Sequence, residues 1–195
     1  MSETIQLSDD LIIGTGRDRI CYEHPTIKEQ CIKISTSSHK QSRREVRYFS
    51  FLTKRNINLS HVSVFLGNVL TSEGIGFCFE LVRNVNGEIS FTLRESLEKR
   101  IISLREVQPK LEDLKKYLVS NAICVRDISP SNIICQDTTE GINLIIIDGI
   151  GNSNISPLTI RLPRLINSAI NKAWKSLDRK LAKIEKALHK TGSQS

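Results

Sequence analysis

The sequence predicts an α+β fold with a small β-rich N-terminal lobe and a mainly helical C-terminal lobe. Short apolar segments separated by turns that contain Gly or Pro dominate the first part of the chain, and a long amphipathic pattern occupies its end. Strands that come first and helices that come later, with one hairpin of short strands between the helices, are typical of this class. We expect residues 1–195 to form a single unit, with an N-terminal part of about residues 5–84, a middle part of residues 85–156 and a C-terminal segment of residues 157–195.

The N-terminal part has the pattern of strands around one helix. Residues 11–24 (LIIGTGRDRICYEH) and 29–35 (EQCIKIS) predict two strands, with a Gly-containing turn and a Pro-bearing loop. Residues 39–55 carry apolar side chains at helical spacing and a charged opposite face, which predicts a helix. Residues 61–82 predict two further strands around a Ser-Glu-Gly turn.

The middle part combines a helical region with a hairpin. Residues 91–121 predict helix, divided into two near Pro109 because proline interrupts helical hydrogen bonding. Two apolar segments follow, residues 122–128 and 132–136, and a turn with the sequence DTTEG leads into a strand at residues 142–148.

The C-terminal segment predicts one basic amphipathic helix over residues 163–189. Residues 161–190 hold nine Lys and Arg against Asp178 and Glu185, an excess equal to the net charge of +7 of the whole chain. We expect the apolar stripe to pack on the domain or on a second copy in a homodimer. Alternatively, such a helix can lie on an anionic membrane surface or meet nucleic acid, but the lack of interleaved aromatic residues disfavours nucleic acid. The stripe comprises Ile166, Ile170, Trp174, Leu177, Leu181, Ile184 and Leu188.

The composition is that of an ordinary soluble globular protein, with 39% hydrophobic and 25% charged residues. No apolar run approaches the length of a membrane span, and the first ten residues lack the pattern of a signal peptide. The five cysteines form no CxxC pair, which disfavours a disulfide framework and a zinc site. We therefore expect a cytoplasmic protein whose cysteines are mainly small buried hydrophobic residues.

Polar residues interrupt the apolar pattern of the middle part at two places, VRDISPSN and IIIDG. Because a single hairpin separates them, Asp127, Asn132 and Asp148 can meet in space. Two carboxylates and an amide oxygen suit a hard cation such as Mg²⁺ rather than zinc. The alternative for each residue alone is turn chemistry, in which the side chain bonds to the nearby backbone.

These motifs, together with GTGRDRICYEHP and QCIKI further upstream, resemble the protein-kinase-like superfamily. More closely, residues from about 10 to about 155 resemble the bacterial YrbL family of PhoP-regulatory-network proteins. The resemblance implies a reduced two-lobed kinase-like fold that binds ATP and Mg²⁺.

The resemblance implies roles for the residues of VRDISPSN and IIIDG. The kinase pattern His-Arg-Asp-x-x-x-x-Asn reads Val125-Arg126-Asp127 to Asn132 here, so Asp127 would be the catalytic base and Asn132 a metal ligand. Asp148 would be the second metal ligand, although Gly149-Ile150-Gly151 stands where Phe-Gly is usual.

Lys33 matches the strand lysine that pairs with nucleotide phosphates in such kinases. A lysine between apolar strand residues needs an anion for its ammonium group, and Glu45 in the predicted helix is the expected partner. The alternative is an edge-strand lysine and a solvated glutamate. Gly14 and Gly16 match part of the phosphate-covering loop G-x-G-x-x-G, in which Arg19 takes the place of the third glycine, and a loop with Arg17 and Arg19 could still engage phosphates through charge.

The segment FCFELV resembles the connection between the two lobes of a kinase. There the backbone of Glu80 and Val82 would bond the adenine edge, and Phe79 would line its pocket. A core strand that runs into a loop explains the segment equally well.

The sequence therefore favours an ATP- and Mg²⁺-dependent phosphotransferase acting on an unknown hydroxyl acceptor. No A-P-E signature follows Asp148 and only about 47 residues remain, so we expect an acceptor other than a conventional peptide. The first alternative is a nucleotide-binding pseudokinase that serves as a regulatory or scaffold protein, favoured by the altered glycine loop. A binding module built on the basic helix alone would leave Asp127 and Asp148 unexplained.

Overall fold

The computed structural model describes residues 4–37, 40–125, 128–151 and 162–192. Over these residues the chain forms seven strands, four α-helices and two short 3-10 turns, at Asp9–Leu11 and Pro130–Asn132. The strands and helices are, in chain order, β1 (Ile12–Thr15), β2 (Arg19–Glu23), β3 (Gln30–Ser35), α1 (Lys40–Lys54), β4 (Phe65–Thr71), β5 (Gly74–Glu80), α2 (Leu93–Glu98), α3 (Leu104–Ser120), β6 (Ile133–Thr138), β7 (Gly141–Ile146) and α4 (Pro163–Gly192).

The first five strands form one antiparallel sheet in the order β1-β2-β3-β5-β4. Helix α1 connects β3 to β4, and the later strands β6 and β7 form a separate antiparallel hairpin among the helices. This arrangement confirms the predicted α+β class, with a β-rich N-terminal part and a mainly helical C-terminal part.

Residues 11–35 were predicted as two strands with a Gly-containing turn and a Pro-bearing loop, and the structure shows three strands, because the Gly-containing turn closes a hairpin of its own. The Gly16 N–H donates to the backbone oxygen of Arg19 at 2.8 Å, which closes a turn between β1 and β2. Gly14 therefore lies within β1, Gly16 lies in the turn that separates β1 from β2, and the N-terminal part has five strands where four were predicted.

The predicted division of the helical region near Pro109 is also wrong. The break falls between Glu98 and Leu104, and Pro109 lies inside α3. The side chains of Thr92 and Ser103 each cap a helix, so the chain has two strong helix starts at these positions.

One hydrophobic core joins the sheet to the helices. Phe79 of β5, Leu52 of α1, Leu114 of α3, Leu144 of β7 and Leu177 of α4 all belong to it. The apolar stripe of α4 faces this core, and α4 packs against α2, α3 and the turn at Pro130–Asn132. No helix among the described residues is long and apolar enough to cross a lipid bilayer.

Candidate functional site

Lys33 connects the N-terminal sheet to the end of β7. Its side chain lies on the central strand β3, is almost completely buried, and donates from Nζ to the backbone oxygen of Ile147 at 2.6 Å. The ammonium nitrogen also lies 4.0 Å from the ring centroid of Phe79, a favourable position for a cation over an aromatic face. The lysine therefore reaches the residue that immediately precedes Asp148.

Glu45 makes its direct ion pair with Arg19. The sequence had predicted Lys33 as its partner. Arg19 Nη1 lies 2.7 Å from Glu45 Oε2, and among the described residues no ion pair joins Lys33 to Glu45. Burial raises the pKa of the Glu45 carboxyl, and the nearby cations Lys33 and Arg19 oppose that rise. Lys33 thus acts on Glu45 through its charge, while Arg19 holds it by contact.

The strand register explains how Arg19 reaches Glu45. Arg19 pairs with Ser35 and Cys21 pairs with Lys33, and alternate residues of a strand share one face of the sheet. Ser35 Oγ lies 2.9 Å from Oγ of Ser42, so helix α1 packs on this face with Glu45 one turn further along. The sequence indicated Arg19 only as a loop residue. The alternation of side chains along a strand, which places Arg19 and Cys21 on the same face, could have predicted that it points toward α1.

Asp148 forms the open end of the same cluster. Its Oδ1 lies 3.8 Å from Arg19 Nη1 and accepts a hydrogen bond from the Gly149 N–H at 2.6 Å. The Asp148 side chain is 32% exposed, whereas those of Arg19 and Glu45 are 11% and 5% exposed. Two cations and two carboxylates therefore meet at the junction of the sheet and β7, and Asp148 is the member that solvent or a ligand can reach.

The two polar segments predicted to meet are adjacent. The Ile147 N–H donates to the backbone oxygen of Asn132 at 2.9 Å, which places Asn132 beside the residue before Asp148. After Asp148 in the chain, Ile150 forms an antiparallel β-bridge with Val125, two residues before Asp127. Arg126 and the predicted base Asp127 lie outside the described residues.

Asn132 and Asp148 supply the type of ligand that Mg²⁺ prefers. Asn132 is half-buried on the turn after Pro130, and its neighbour Asp148 is partly exposed. Oxygen ligands of this kind suit a hard cation that retains several of its waters. In the part of the chain that the structure describes, no group of three His, Cys, Asp or Glu residues could hold a metal ion. Asn132 and Asp148 are therefore oxygen-bearing residues of adjacent segments, and their role as metal ligands remains a prediction.

Gly14 and Gly16 lie exposed on the β1–β2 hairpin, beside the strand that carries Arg19. A Cβ atom added at Gly14 would meet nothing within 4 Å, and one at Gly16 would lie 3.5 Å from the backbone oxygen of Arg19. The fold itself therefore leaves room for side chains here, so packing does not account for the glycines.

Glu80 and Val82 lie where the chain passes from the sheet to the helices. The backbone oxygen of Glu80 accepts from Ser63 Oγ at 2.9 Å. Val82 is buried in a small apolar cluster with Ile134 and Ile145 of the β6–β7 hairpin, separate from the main core. This cluster connects the end of β5 with the strands that flank Asn132 and Asp148.

Phe79 is a core residue and not part of an exposed pocket wall. It is 1% exposed and makes edge-to-face contacts with Phe49 and Phe65 at centroid distances of 5.8 and 5.4 Å. The Phe79 ring contacts the Lys33 ammonium group through its face, a role that the sequence did not predict.

The family model and the similar relatives indicate the same family. The family model described as "PhoP regulatory network protein YrbL" matches residues 5–182. The YrbL proteins of Escherichia coli K12 and Shigella flexneri are each 34% identical over 164 residues, which cover 79% of this chain and 77% of theirs. Among solved structures, the PknI kinase domain of Mycobacterium tuberculosis, a double mutant, matches with a TM-score of 0.48 and 12% identity over 71% of this chain. The match spans 56% of that kinase domain.

Proposed function

The chain belongs to the family described as PhoP regulatory network protein YrbL, and from this premise we propose that it is an ATP- and Mg²⁺-dependent phosphotransferase acting on a hydroxyl acceptor. The observation that supports the proposal most is the cluster of Lys33, Arg19, Glu45 and Asp148. Buried charges are costly unless they are paired, and they cluster at functional sites. Here they converge on the partly exposed Asp148 carboxylate, next to Asn132.

Each member of the cluster has a role in this proposal. Lys33 would bind nucleotide phosphates, with Glu45 close enough to orient it by charge. Asn132 and Asp148 would hold Mg²⁺, which when bound neutralises the charge of the phosphates. Asp127 would accept the proton of the attacking hydroxyl group. Catalysis of this kind depends mainly on positioning and charge, which a small number of residues can supply.

The nucleotide base would bind beside the segment that follows β5. The Glu80 backbone oxygen, which also accepts from Ser63 Oγ, and the Val82 N–H would bond the edge of the base, and the ring would pack against the apolar cluster of Val82, Ile134 and Ile145. The exposed hairpin with Gly14 and Gly16 would cover the phosphates, because glycines allow close approach of the backbone. A cytoplasmic location, where ATP is available, belongs to the same proposal.

The second candidate is a nucleotide-binding pseudokinase that acts as a regulatory protein. The observation that favours it is the contact of Arg19 with Asp148, since a cation beside this carboxylate competes with a metal ion. The family description, with its mention of a regulatory network, is consistent with this candidate. In either case the basic outer side of α4 would be available to an anionic membrane surface or a second copy, because the apolar stripe faces the core.

The test compares the wild type with the variant Asp127→Ala in the presence of Mg²⁺. ATP binding is measured by calorimetry, and phosphate release or transfer is measured with cell extract as the source of acceptor. Asp137→Ala is the matched control, because Asp137 is an exposed carboxylate on the neighbouring strand β6. Turnover by the wild type and the control, with binding but no turnover by Asp127→Ala, supports the phosphotransferase. Equal binding without turnover by all three proteins supports the pseudokinase, and absence of binding by the wild type contradicts both.

A further inference from the structure

Arg19 has a hydrogen-bonding group that the protein does not use. Its guanidinium group contacts Glu45 through Nη1 at 2.7 Å and approaches Asp148 through the same atom at 3.8 Å. Its Nη2 is buried and has no hydrogen-bond partner among the described residues. A buried donor on a charged group without an acceptor is unfavourable, so this N–H group calls for an acceptor from outside the described chain.

The neighbourhood of Arg19 indicates what kind of acceptor this is. The other cation of the cluster, Lys33, already donates to the backbone oxygen of Ile147 and lies over Phe79. Arg19 therefore offers a further donor besides Lys33, and it lies beside Asp148, the member of the cluster that a ligand can reach. The planar fork of an arginine matches the oxygens of a phosphate group and forms charge-assisted hydrogen bonds with them.

The position of Arg19 in the chain supports the same conclusion. It begins β2, directly after the turn that Gly16 closes, and its side chain turns toward α1 on the face that carries Lys33. An arginine at this point brings a fixed positive charge to the place where a glycine-rich loop would offer only backbone N–H groups.

We propose that Arg19 is a phosphate-binding residue of the cleft, which holds Glu45 through Nη1 and donates from Nη2 to a phosphate of a nucleoside di- or triphosphate. This inference rests on the proposed nucleotide-binding function and adds a specificity determinant to it. The protein should discriminate phosphorylated nucleotides from the nucleoside largely through this residue.

The experiment measures the affinities for ATP, ADP and adenosine by calorimetry in the wild type, Arg19→Gln and Arg19→Lys. Arg19→Gln should weaken ATP and ADP binding about 10- to 100-fold, the range expected for loss of a hydrogen bond to a charged group. Adenosine should bind all three proteins within about twofold, because it has no phosphate. Arg44→Gln is the matched control: Arg44 is an exposed arginine next to Glu45 on α1, and its loss should leave all three affinities unchanged.

Each outcome decides a different point. If the wild type binds neither ATP nor adenosine, the proposed function fails and the inference fails with it. If the wild type binds ATP and Arg19→Gln binds it equally well, only the inference is overturned. Equal loss of ATP and adenosine affinity would show that Arg19 has a structural role, which also overturns the inference. Circular dichroism shows whether Arg19→Gln folds, and if it does not, Arg19→Lys is the deciding variant. For Arg19→Lys, a fall of about tenfold in the ratio of ATP affinity to adenosine affinity supports the inference. An unchanged ratio contradicts it.

Discussion

Tyr48 joins helix α1 to the segment that precedes Asp127 through one buried hydrogen bond. Its hydroxyl oxygen accepts from the Cys124 N–H at 2.7 Å, and burial raises the pKa of this hydroxyl. We expect Tyr48→Phe to lower the free energy of unfolding by about 1–3 kcal/mol, because the buried N–H group loses its acceptor. Urea denaturation measures the change. Tyr22→Phe is the control, since Tyr22 is also buried but its hydroxyl bonds to none of the described residues. Equal losses in both variants would contradict the prediction.

The ionisation of Glu45 should make stability depend on pH. Burial raises the pKa of its carboxyl, Asp148 adds to the rise, and the Lys33 and Arg19 cations oppose it. A carboxyl with a raised pKa holds its proton more tightly in the folded state, so its contribution to stability is greatest below its unfolded pKa and decreases as the pH rises through the folded pKa.

The variant Glu45→Gln lacks this titration and tests the sign of the effect. We expect the free energy of unfolding of the wild type, minus that of Glu45→Gln, to fall as the pH rises from about 4 to about 7. Urea denaturation at a series of pH values measures this difference. Glu112→Gln, which replaces an exposed glutamate on α3 by the same substitution, is the control variant. A Glu45 difference that grows with pH would contradict the assignment.

Individual site residues differ in how far the sequence could predict them. The proximity of Asn132 and Asp148 followed from chain order, because the β6–β7 hairpin begins after one and ends before the other. The partner of Glu45 did not, since two cations lie on the same sheet face and only the packing of α1 decides that Arg19 reaches the carboxylate. The role of Asp127 as base remains a prediction.

At the scale of elements, the start of each helix in the middle part is encoded locally. The sequences TLRE at Thr92–Glu95 and SLRE at Ser103–Glu106 are capping boxes, in which the Ser or Thr and the Glu each bond the backbone of the other. Pro109 predicts a break at a different position, inside the helix that begins after Ser103. Helix α3 continues through Pro109 because its apolar face is buried along its length, and such packing outweighs the loss of one hydrogen bond.

The cap at Ser103 gives a prediction for this element. We expect Ser103→Ala to lower the free energy of unfolding by about 1 kcal/mol, because the Glu106 N–H loses its acceptor. Hydrogen bonds from Ser103 lower the pKa of the Glu106 carboxyl, so its contribution is present above the unfolded pKa and is lost as the pH falls through the folded pKa. Nuclear magnetic resonance titration should therefore show a higher pKa for Glu106 in the variant.

A second serine of the same helix provides the control for this cap. Ser120 lies exposed at the end of α3, so Ser120→Ala should change the free energy of unfolding by less than about 0.5 kcal/mol and leave the Glu106 pKa unaltered. Similar effects of the two variants, measured by urea denaturation, would show that the cap contributes no more than an exposed hydroxyl group.

For the whole molecule, the sequence predicted the classes of element better than their assembly. The amphipathic stripe located α4 within a few residues, since period and length are local properties. The surface against which this stripe packs is not a local property, because the same pattern also fits a second copy or a membrane. The structure places it in a core that also contains Leu52, Phe79 and Leu144, so β-rich and helical parts share one hydrophobic interior.

A shared interior should make the molecule unfold as one cooperative unit. Leu177 lies fully buried in α4, and we expect Leu177→Ala to lower the free energy of unfolding by about 2–5 kcal/mol through lost burial and the cavity left behind.

The fluorescence of Trp174, the single tryptophan, reports on α4, and far-ultraviolet circular dichroism reports on the whole chain. Because the core joins the sheet to the helices, both transitions should shift together to the same lower urea midpoint. Leu165→Ala, at a 46% exposed position of the same helix, should change stability by less than about 0.5 kcal/mol. If the fluorescence transition of Leu177→Ala moved while the dichroism of the remaining chain did not, α4 would be an independent unit and the single-core account would be wrong.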